Sequence, residues 1–199
     1  MNKKLIYIGL IVLVAAAFYL FFIKSSPAGA KAEKDAPVAI AKNSPEFDAS
    51  FNKLLTAYFQ LKNALVASDT AKANAGADLL HIAADSLKVN EIQGDSTGAI
   101  KTIALDFAAT VSASAKGLLG ETSIEEKRKE FELITDALWN LTRTVKFTGR
   151  KIYYQFCPMA LNDKGAFWMS EVAEINNPYF GEEMLHCGST EDSLDYSGK

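Results

Sequence analysis

Four stretches between residues 44 and 148 carry apolar side chains at intervals of three and four residues, the spacing of an amphipathic helix. In the first stretch, Ser44 is placed to cap a helix whose first residue is Pro45. Its apolar stripe consists of Phe47, Phe51, Leu54, Tyr58, Leu61 and Leu65. Each stripe must be buried against another apolar face. Four such helices joined by short loops predict a mainly α fold, an antiparallel four-helix bundle over residues 45–148.

The other three helices have less uniform signals. The second is predicted to start at Asp69 and to stop near Gly94, with a stripe of mostly small residues. The third is predicted to end by Gly117 or Gly120, and the fourth begins with a capping box from Ser123 to Glu126. The stripes of these helices are Ala73, Ala77, Leu80, Ala84 and Leu87; Ile100, Ile103, Phe107 and Val111; and Phe131, Ile134, Leu138, Leu141 and Val145.

After Gly149 the pattern changes from helical to strand-like. Residues 151–156 and 165–169 are rich in aromatic and β-branched side chains and flank a polar turn, which predicts a short β-hairpin. Residues 149–188 are therefore expected to form a hairpin with a Cys/Met motif in the same domain as the bundle. The acidic and small residues 189–199 are expected to form a disordered tail.

The N-terminal sequence predicts that the protein is located in the cell envelope. Residues 5–23 form an apolar run of 19 residues between lysines, nearly long enough to span a bilayer, and the run ends in bulky aromatic side chains. Residues 1–24 are therefore expected to be a single-pass inner-membrane anchor, with residues 25–44 as a flexible linker and the bulk of the chain in the periplasm. The alternative is a signal sequence cleaved after Ala30, which would release the protein into the periplasm.

Composition and motifs exclude several functional classes. The net charge of −3, a sequence pI near 5.5 and the lack of a basic cluster argue against nucleic acid as a partner. The sequence contains no glycine-rich phosphate loop, no nucleophile elbow and no Ser/His/Asp arrangement. We therefore expect a protein that is not an enzyme.

The side chains with distinctive chemistry lie in the C-terminal third, as two Cys/Met pairs. Cys157 and Met159 alternate on a predicted strand and so share a face, and Met184 and Cys187 would share a face of one helical turn. Thiolate and thioether sulfurs are soft ligands that suit Cu(I) or Ag(I). His186 is a further candidate ligand through an imidazole nitrogen.

The same two cysteines allow other interpretations. The chain has only two, and in an oxidising compartment they would most simply form a Cys157–Cys187 disulfide. Such a bond closes a loop of about 30 residues and would stabilise the fold by about 3 to 4 kcal/mol in the chain-entropy model. Free buried thiols are the third possibility, and the methionines would then only fill gaps in the core.

Four motifs in this segment resemble the signature of a bacterial family of domains of unknown function. They read CPMA at residues 157–160, GAFWMS at 165–170, INNPYFG at 175–181 and MLHCG at 184–188. The family occurs as exported proteins and as a C-terminal module on periplasmic adaptor subunits of copper/silver efflux systems. The resemblance, over residues 47–188, implies a helical domain with a Cys/Met motif and a connection to heavy-metal handling, without an established enzymatic activity.

Two functions are therefore expected as alternatives. The first is a membrane-tethered periplasmic protein that binds a soft metal ion, Cu(I) or Ag(I), and works with efflux or other envelope proteins. The second is a structural or interaction module with the disulfide and a docking surface formed by Trp168, Tyr179 and Phe180. Four sulfurs converging on a small pocket would favour the first, and an exposed aromatic patch would favour the second.

Overall fold

The computed structural model describes residues 42–196, which form a mainly helical fold with a small antiparallel sheet. The predicted anchor and residues 25–41 of the predicted linker lie outside the described residues. No helix within residues 42–196 combines the length and apolarity that crossing a membrane requires. The helices are α1 (Pro45–Val66), α2 (Thr70–Asp85), α3 (Ala99–Gly120), α4 (Ile124–Val145) and a single turn, α5 (Ala160–Asp163).

The helix starts follow the predicted capping residues. The Ser44 hydroxyl accepts a hydrogen bond from the backbone N–H of Phe47 at 3.1 Å, and the Asp69 carboxylate accepts one from Lys72 at 2.9 Å. The Ser123 hydroxyl accepts one from the N–H of Glu126 at 3.2 Å, as the capping box predicts. Each cap satisfies a backbone donor that has no partner inside the helix. All three predicted starts are confirmed.

Each long helix packs on the next one in sequence, and α1 also contacts α4. The rings of Tyr58 on α1 and Phe131 on α4 stack with centroids 5.2 Å apart. The predicted stripe of α4 is fully buried at Phe131, Ile134, Leu138, Leu141 and Val145. These contacts give the long helices one common apolar core.

Two helix predictions are wrong in detail. Helix α2 ends at Asp85 instead of near Gly94, and the Ser86 hydroxyl bonds back to the carbonyl of Ile82 at its end. A 3-10 turn (Val89–Glu91) and strand β2 (Ile92–Gln93) follow instead. In α3, Ile103 is 43% exposed, and the buried stripe includes three alanines at positions that simple apolar spacing does not distinguish.

The sheets depart from the predicted hairpin in two places. Strand β1 (Lys42–Asn43) pairs antiparallel with β2, so these residues belong to the folded part and not to the predicted linker. The expected hairpin is present as β3 (Ile152–Cys157) and β4 (Ala166–Ser170). A third strand, β5 (Ser189–Leu194), pairs with the other edge of β3, where we expected a disordered tail. Its side chains are mostly exposed, so backbone pairing and not an apolar pattern defines this strand.

The sheet is attached to the helices through a buried tyrosine. The Tyr58 hydroxyl on α1 accepts a hydrogen bond from the backbone N–H of Met169 in β4 at 3.0 Å, and it contacts the Thr135 hydroxyl on α4 at 2.8 Å. Burial raises the pKa of Tyr58 well above its usual range, so its hydroxyl stays protonated. One side chain thus fixes the strands relative to two helices.

Candidate functional site

Cys157 ends strand β3 on a fully buried face of the sheet. Because side chains alternate along a strand, Cys157 shares this face with Gln155 and with the cross-strand residues Ala166 and Trp168. The Gln155 amide donates to backbone carbonyls of the segment after β4, including Ala173 at 3.1 Å. The segment at residues 171–174 is thereby held beside the strand that carries Cys157.

Asn177 holds the segment that carries Cys187. This fully buried side chain donates from Nδ2 to the Cys187 carbonyl at 2.8 Å and accepts from the Tyr179 N–H at 2.8 Å. Its own N–H donates to the Leu185 carbonyl at 2.8 Å. The Cys187 N–H donates to the carbonyl of Met184 at 3.0 Å. The INNPYFG motif is thus a turn whose asparagine fixes the backbone of the second cysteine.

Gly188 lets the chain pass close to the sheet directly after Cys187. Its φ of +139° lies in a region that favours glycine. A Cβ at this position would lie 2.6 Å from the Phe156 carbonyl oxygen and 2.8 Å from the Trp168 ring. Any other residue would have to push residue 188 away from β3, so this glycine permits the approach of the two cysteines.

The sulfur atoms of Cys157 and Cys187 lie 2.7 Å apart, and both cysteines are free. Cys157 is fully buried, whereas Cys187 is partly exposed. The hydrogen bond to Cys157 is the largest of the effects that raise the pKa of Cys187 to about 11, and burial and the charge of Cys157 add to it. At neutral pH, Cys187 is therefore a thiol and a poor nucleophile.

The two methionines do not share one pocket with the cysteine pair. Met159 is 46% exposed and lines a cleft whose walls include neither cysteine. Met184 is partly buried in the 3-10 turn Gly181–Met184, next to the backbone of Cys187. Of the four predicted sulfur ligands, the structure brings the two cysteines into direct contact.

His186 is exposed beside the cysteine pair and has a defined tautomer. Its Nδ1 lies 2.9 Å from the Ile175 carbonyl oxygen, which only accepts hydrogen bonds. Nδ1 therefore carries a proton. A neutral imidazole in this form has one nitrogen left for a metal ion.

The predicted docking surface is wrong for two of its three residues. Trp168 is fully buried, and Tyr179 is only 5% exposed because its ring packs between Trp168 and Phe131 and its hydroxyl donates to the Phe167 carbonyl. Phe180 is partly buried. The physical reason is that the turn at residues 177–181 folds over the sheet and covers the face that Trp168 occupies.

Three partly exposed aromatic side chains, Tyr154, Phe156 and Phe167, lie on the opposite face of the strands. The ring of Trp139 on α4 stacks on Tyr154 with centroids 4.1 Å apart, and Tyr154 stacks on Phe167 at 4.5 Å. Phe156 continues the series at 4.5 Å from Phe167. Strand alternation in the sequence separates the two sets, but it does not tell which face is covered.

Sequence reasoning missed the residues that position the site. Asn177, Gln155 and Gly188 carry no sulfur or charge, and their roles depend on contacts across the sheet. Two asparagines before a proline, at residues 176–178, are typical of a turn, but this pattern does not indicate which residues the turn contacts. Within residues 42–196, no group of three or more His, Cys, Asp or Glu side chains is arranged to hold a metal ion.

Comparison with known proteins gives a family match over most of the helical part of the chain. Residues 54–149 match the model described as Protein of unknown function (DUF3347). The match begins within α1 and ends after α4, before the strand that carries Cys157. Comparisons with curated proteins and with solved structures gave no match.

Proposed function

We propose that this chain, whose residues 54–149 match a domain family of unknown function, binds a soft monovalent metal ion, Cu(I) or Ag(I), through Cys157 and Cys187. The observation that carries the proposal is the contact of the two free sulfur atoms at 2.7 Å. Because a metal–thiolate bond is about 2.3 Å long, the two sulfurs would have to separate by more than about 1 Å to hold an ion, and the partly exposed Cys187 is the one that could move outward. Two thiolates suit a soft ion that accepts few ligands, whereas structural zinc sites take four.

The protonation of Cys187 makes metal binding dependent on pH. A thiol must lose its proton to bind a metal ion, and the pKa of Cys187 is raised to about 11. Binding therefore releases a proton at neutral pH, and the apparent affinity should rise as the pH rises toward that value.

Additional ligands lie close to the pair along the chain. Met159 follows Cys157 by two residues, and Met184 precedes Cys187 by three in the same turn. The free Nε2 of His186 is a third candidate. We propose the thioethers as supplementary ligands that complete the site when the ion draws the turn toward it.

The proposal includes the subcellular location and the architecture that the sequence predicts. Residues 5–23 would anchor the chain in the inner membrane, and an antiparallel four-helix bundle would present the sheet in the periplasm. The expected partners are efflux or other envelope proteins that exchange the ion. The role is binding and not catalysis.

The test is competition against a Cu(I) chelator with the full chain under reducing conditions. Cys187→Ser should weaken binding at least a hundredfold, about 2.8 kcal/mol. The double variant Met159→Leu, Met184→Leu should weaken it at least tenfold, about 1.4 kcal/mol, because it removes two soft donors while conserving volume. Met169→Leu is the matched control, since Met169 lies in the core of β4. Weak binding by the parent that no variant changes would refute the proposal.

The second candidate function is that of a structural module locked by a disulfide. The same 2.7 Å contact favours it, because the sulfurs need only a small approach to reach a disulfide bond length of about 2.05 Å. Formation of the bond would transfer two protons and two electrons to a disulfide oxidant of the envelope. It would tie the end of β3 to Cys187, two residues before the start of β5.

Mass spectrometry separates the two candidates. The full chain isolated without reductant is alkylated under denaturing conditions and weighed. Addition of two alkyl groups indicates the dithiol that metal binding needs, and addition of none indicates the disulfide. If the chain is fully oxidised and its reduced form fails to compete for Cu(I), the structural module is the function that remains.

A further inference from the structure

A cleft of about 360 Å³ lies between the first turns of α4, the connection from β3 to β4 and the turn at residues 179–183. It contains Met159 but neither cysteine, so it is distinct from the sulfur pair. Its walls combine charged side chains from Glu125, Arg128 and Glu183 with apolar ones. Such a combination in one concave site is typical of small-molecule binding.

Arg128 is the buried charge of this cleft. The side chain is 8% exposed, and Nε donates to the Pro178 carbonyl at 2.8 Å while Nη2 donates to the Ser68 hydroxyl at 3.1 Å. Nη1 makes no hydrogen bond to a residue within 42–196, and none of the ion pairs in that range includes Arg128. Nη1 is not one of the buried side-chain atoms that lack a partner, so its N–H groups reach solvent at the cleft that Arg128 lines and are free to donate to a carboxylate ligand.

Two carboxylates stand at the exposed rim of the cleft. Glu125 and Glu183 act electrostatically on Arg128, and neither forms an ion pair with a described residue. Burial nevertheless dominates and lowers the pKa of Arg128. Lys129 also lines the cleft, but it pairs with Glu126. Besides the exposed Lys129–Glu126 pair, the cleft therefore offers one buried cation and two exposed anions, which is the complement of a zwitterion.

The apolar wall is held in place by unusual backbone geometry. Met159 is 46% exposed and Phe180 is partly buried at this wall. Leu161 lines the same cleft, and its φ of 52° is left-handed and unfavourable for a bulky side chain. Strained residues of this kind persist where the surrounding structure fixes them, and they concentrate at binding sites.

We propose that this cleft binds a small zwitterion with an apolar side chain, of the class of free aliphatic amino acids. The carboxylate would bind Arg128, the ammonium group would lie between Glu125 and Glu183, and the side chain would contact Met159 and Leu161. The carboxylate and the ammonium group of the ligand would each pair with charged side chains that have no ion-pair partner among the described residues. The cleft volume is sufficient for a ligand of this size.

The test is a titration of the full chain carrying ¹³C-labelled methionine methyl groups. L-Leucine should shift the Met159 methyl signal saturably and leave that of the buried Met169 unchanged. Three analogues each remove one recognised part: leucinamide the carboxylate, 4-methylpentanoate the ammonium group, and glycine the apolar chain. Each should bind at least tenfold more weakly than L-leucine.

Substitutions at the rim of the cleft test ligand binding without replacing Arg128, whose buried hydrogen bonds also support the fold. The double variant Glu125→Gln, Glu183→Gln should weaken L-leucine binding at least tenfold but leave that of 4-methylpentanoate unchanged or stronger. Glu182→Gln is the matched control, because Glu182 is exposed in the same turn but does not line the cleft. The inference is overturned if no saturable shift occurs up to the solubility limit of L-leucine, if 4-methylpentanoate binds as tightly, or if the control weakens binding equally.

Discussion

The side chain of Asn177 connects the turn at residues 177–181 to Cys187, and its removal should destabilise the reduced protein. Asn177→Ala leaves two backbone groups without their partners, the buried Tyr179 N–H and the part-buried Cys187 carbonyl. An unsatisfied buried group costs about 1 to 3 kcal/mol and the part-buried carbonyl adds up to as much again, so the loss should be about 1 to 6 kcal/mol. The asparagine is fully buried, and water cannot replace it without rearrangement of the turn.

Asn177→Asp separates the two hydrogen bonds. The carboxylate keeps an acceptor for the Tyr179 N–H but loses the donor to the Cys187 carbonyl, at a cost of about 1 to 3 kcal/mol. When protonated, the new carboxyl group regains a donor. Its pKa in the folded state should lie above the unfolded value of about 3.9, because burial and the facing carbonyl disfavour the charge. The loss relative to the parent should therefore be small below about pH 4 and grow as the pH rises through the folded pKa.

The assay is chemical denaturation of the full chain under reducing conditions, followed by near-UV circular dichroism, at several pH values. Asn176→Asp is the matched control, since the neighbouring Asn176 is partly exposed and its difference from the parent should vary little with pH. A loss for Asn177→Ala below about 0.5 kcal/mol, as for surface substitutions, would refute the role of this side chain. Equal pH dependence for both Asp variants would refute the protonation argument.

Three further predictions concern the core, the glycine and the thiol. Leu138→Ala should cost about 2 to 5 kcal/mol because Leu138 is fully buried, whereas Leu133→Ala on the exposed face of α4 should change the free energy of unfolding by less than about 0.5 kcal/mol. Gly188→Ala should lower the fraction of Cys157–Cys187 cross-linking under mild oxidant, measured by mass spectrometry, whereas Gly120→Ala, with no atom within 4 Å of the added Cβ, should not. The pKa of Cys187 is about 11 in the folded protein and 9.0 in the unfolded chain, so the protonated thiol favours the folded state. This contribution is complete below pH 9.0 and is lost as the pH rises through about 11. Denaturation of the reduced chain should therefore show a free energy of unfolding that falls over this interval.

The helices could be predicted from the sequence because their signals are local. Ser44, Asp69 and Ser123 each cap a helix through a residue three positions ahead, and the α4 stripe has a single apolar face. Strand β5 could not be predicted in this way, because its acidic and polar residues have no pattern of their own and pair with β3 from more than 30 residues away. The strand propensity of a segment does not indicate which distant strand it pairs with.

The candidate site was predictable in its chemistry but only partly in its geometry. The two cysteines stood out by residue type, but the prediction that Cys157 and Met159 share a strand face is wrong, because β3 ends at Cys157 and Met159 is 46% exposed. Trp168 lies on the buried face of the sheet that Cys157 occupies, yet we assigned it to a docking surface because aromatic residues are common both in cores and at interfaces. The difference depends on the turn at residues 177–181, which covers this face through contacts distant in sequence.

The position of the sulfur pair depends on the helices through a short series of contacts. Tyr58 on α1 binds the backbone of Met169 in β4, β4 pairs with β3, and β3 ends at Cys157. From the other side, Phe131 on α4 packs on Tyr179, whose N–H bonds to the asparagine that holds Cys187. Cys157 is thus positioned through α1, β4 and β3, whereas Cys187 is positioned through α4 and the turn at residues 177–181. The distance between the sulfurs therefore depends on how the sheet and the covering turn sit on the helical core, and a domain match over the helices alone does not determine it.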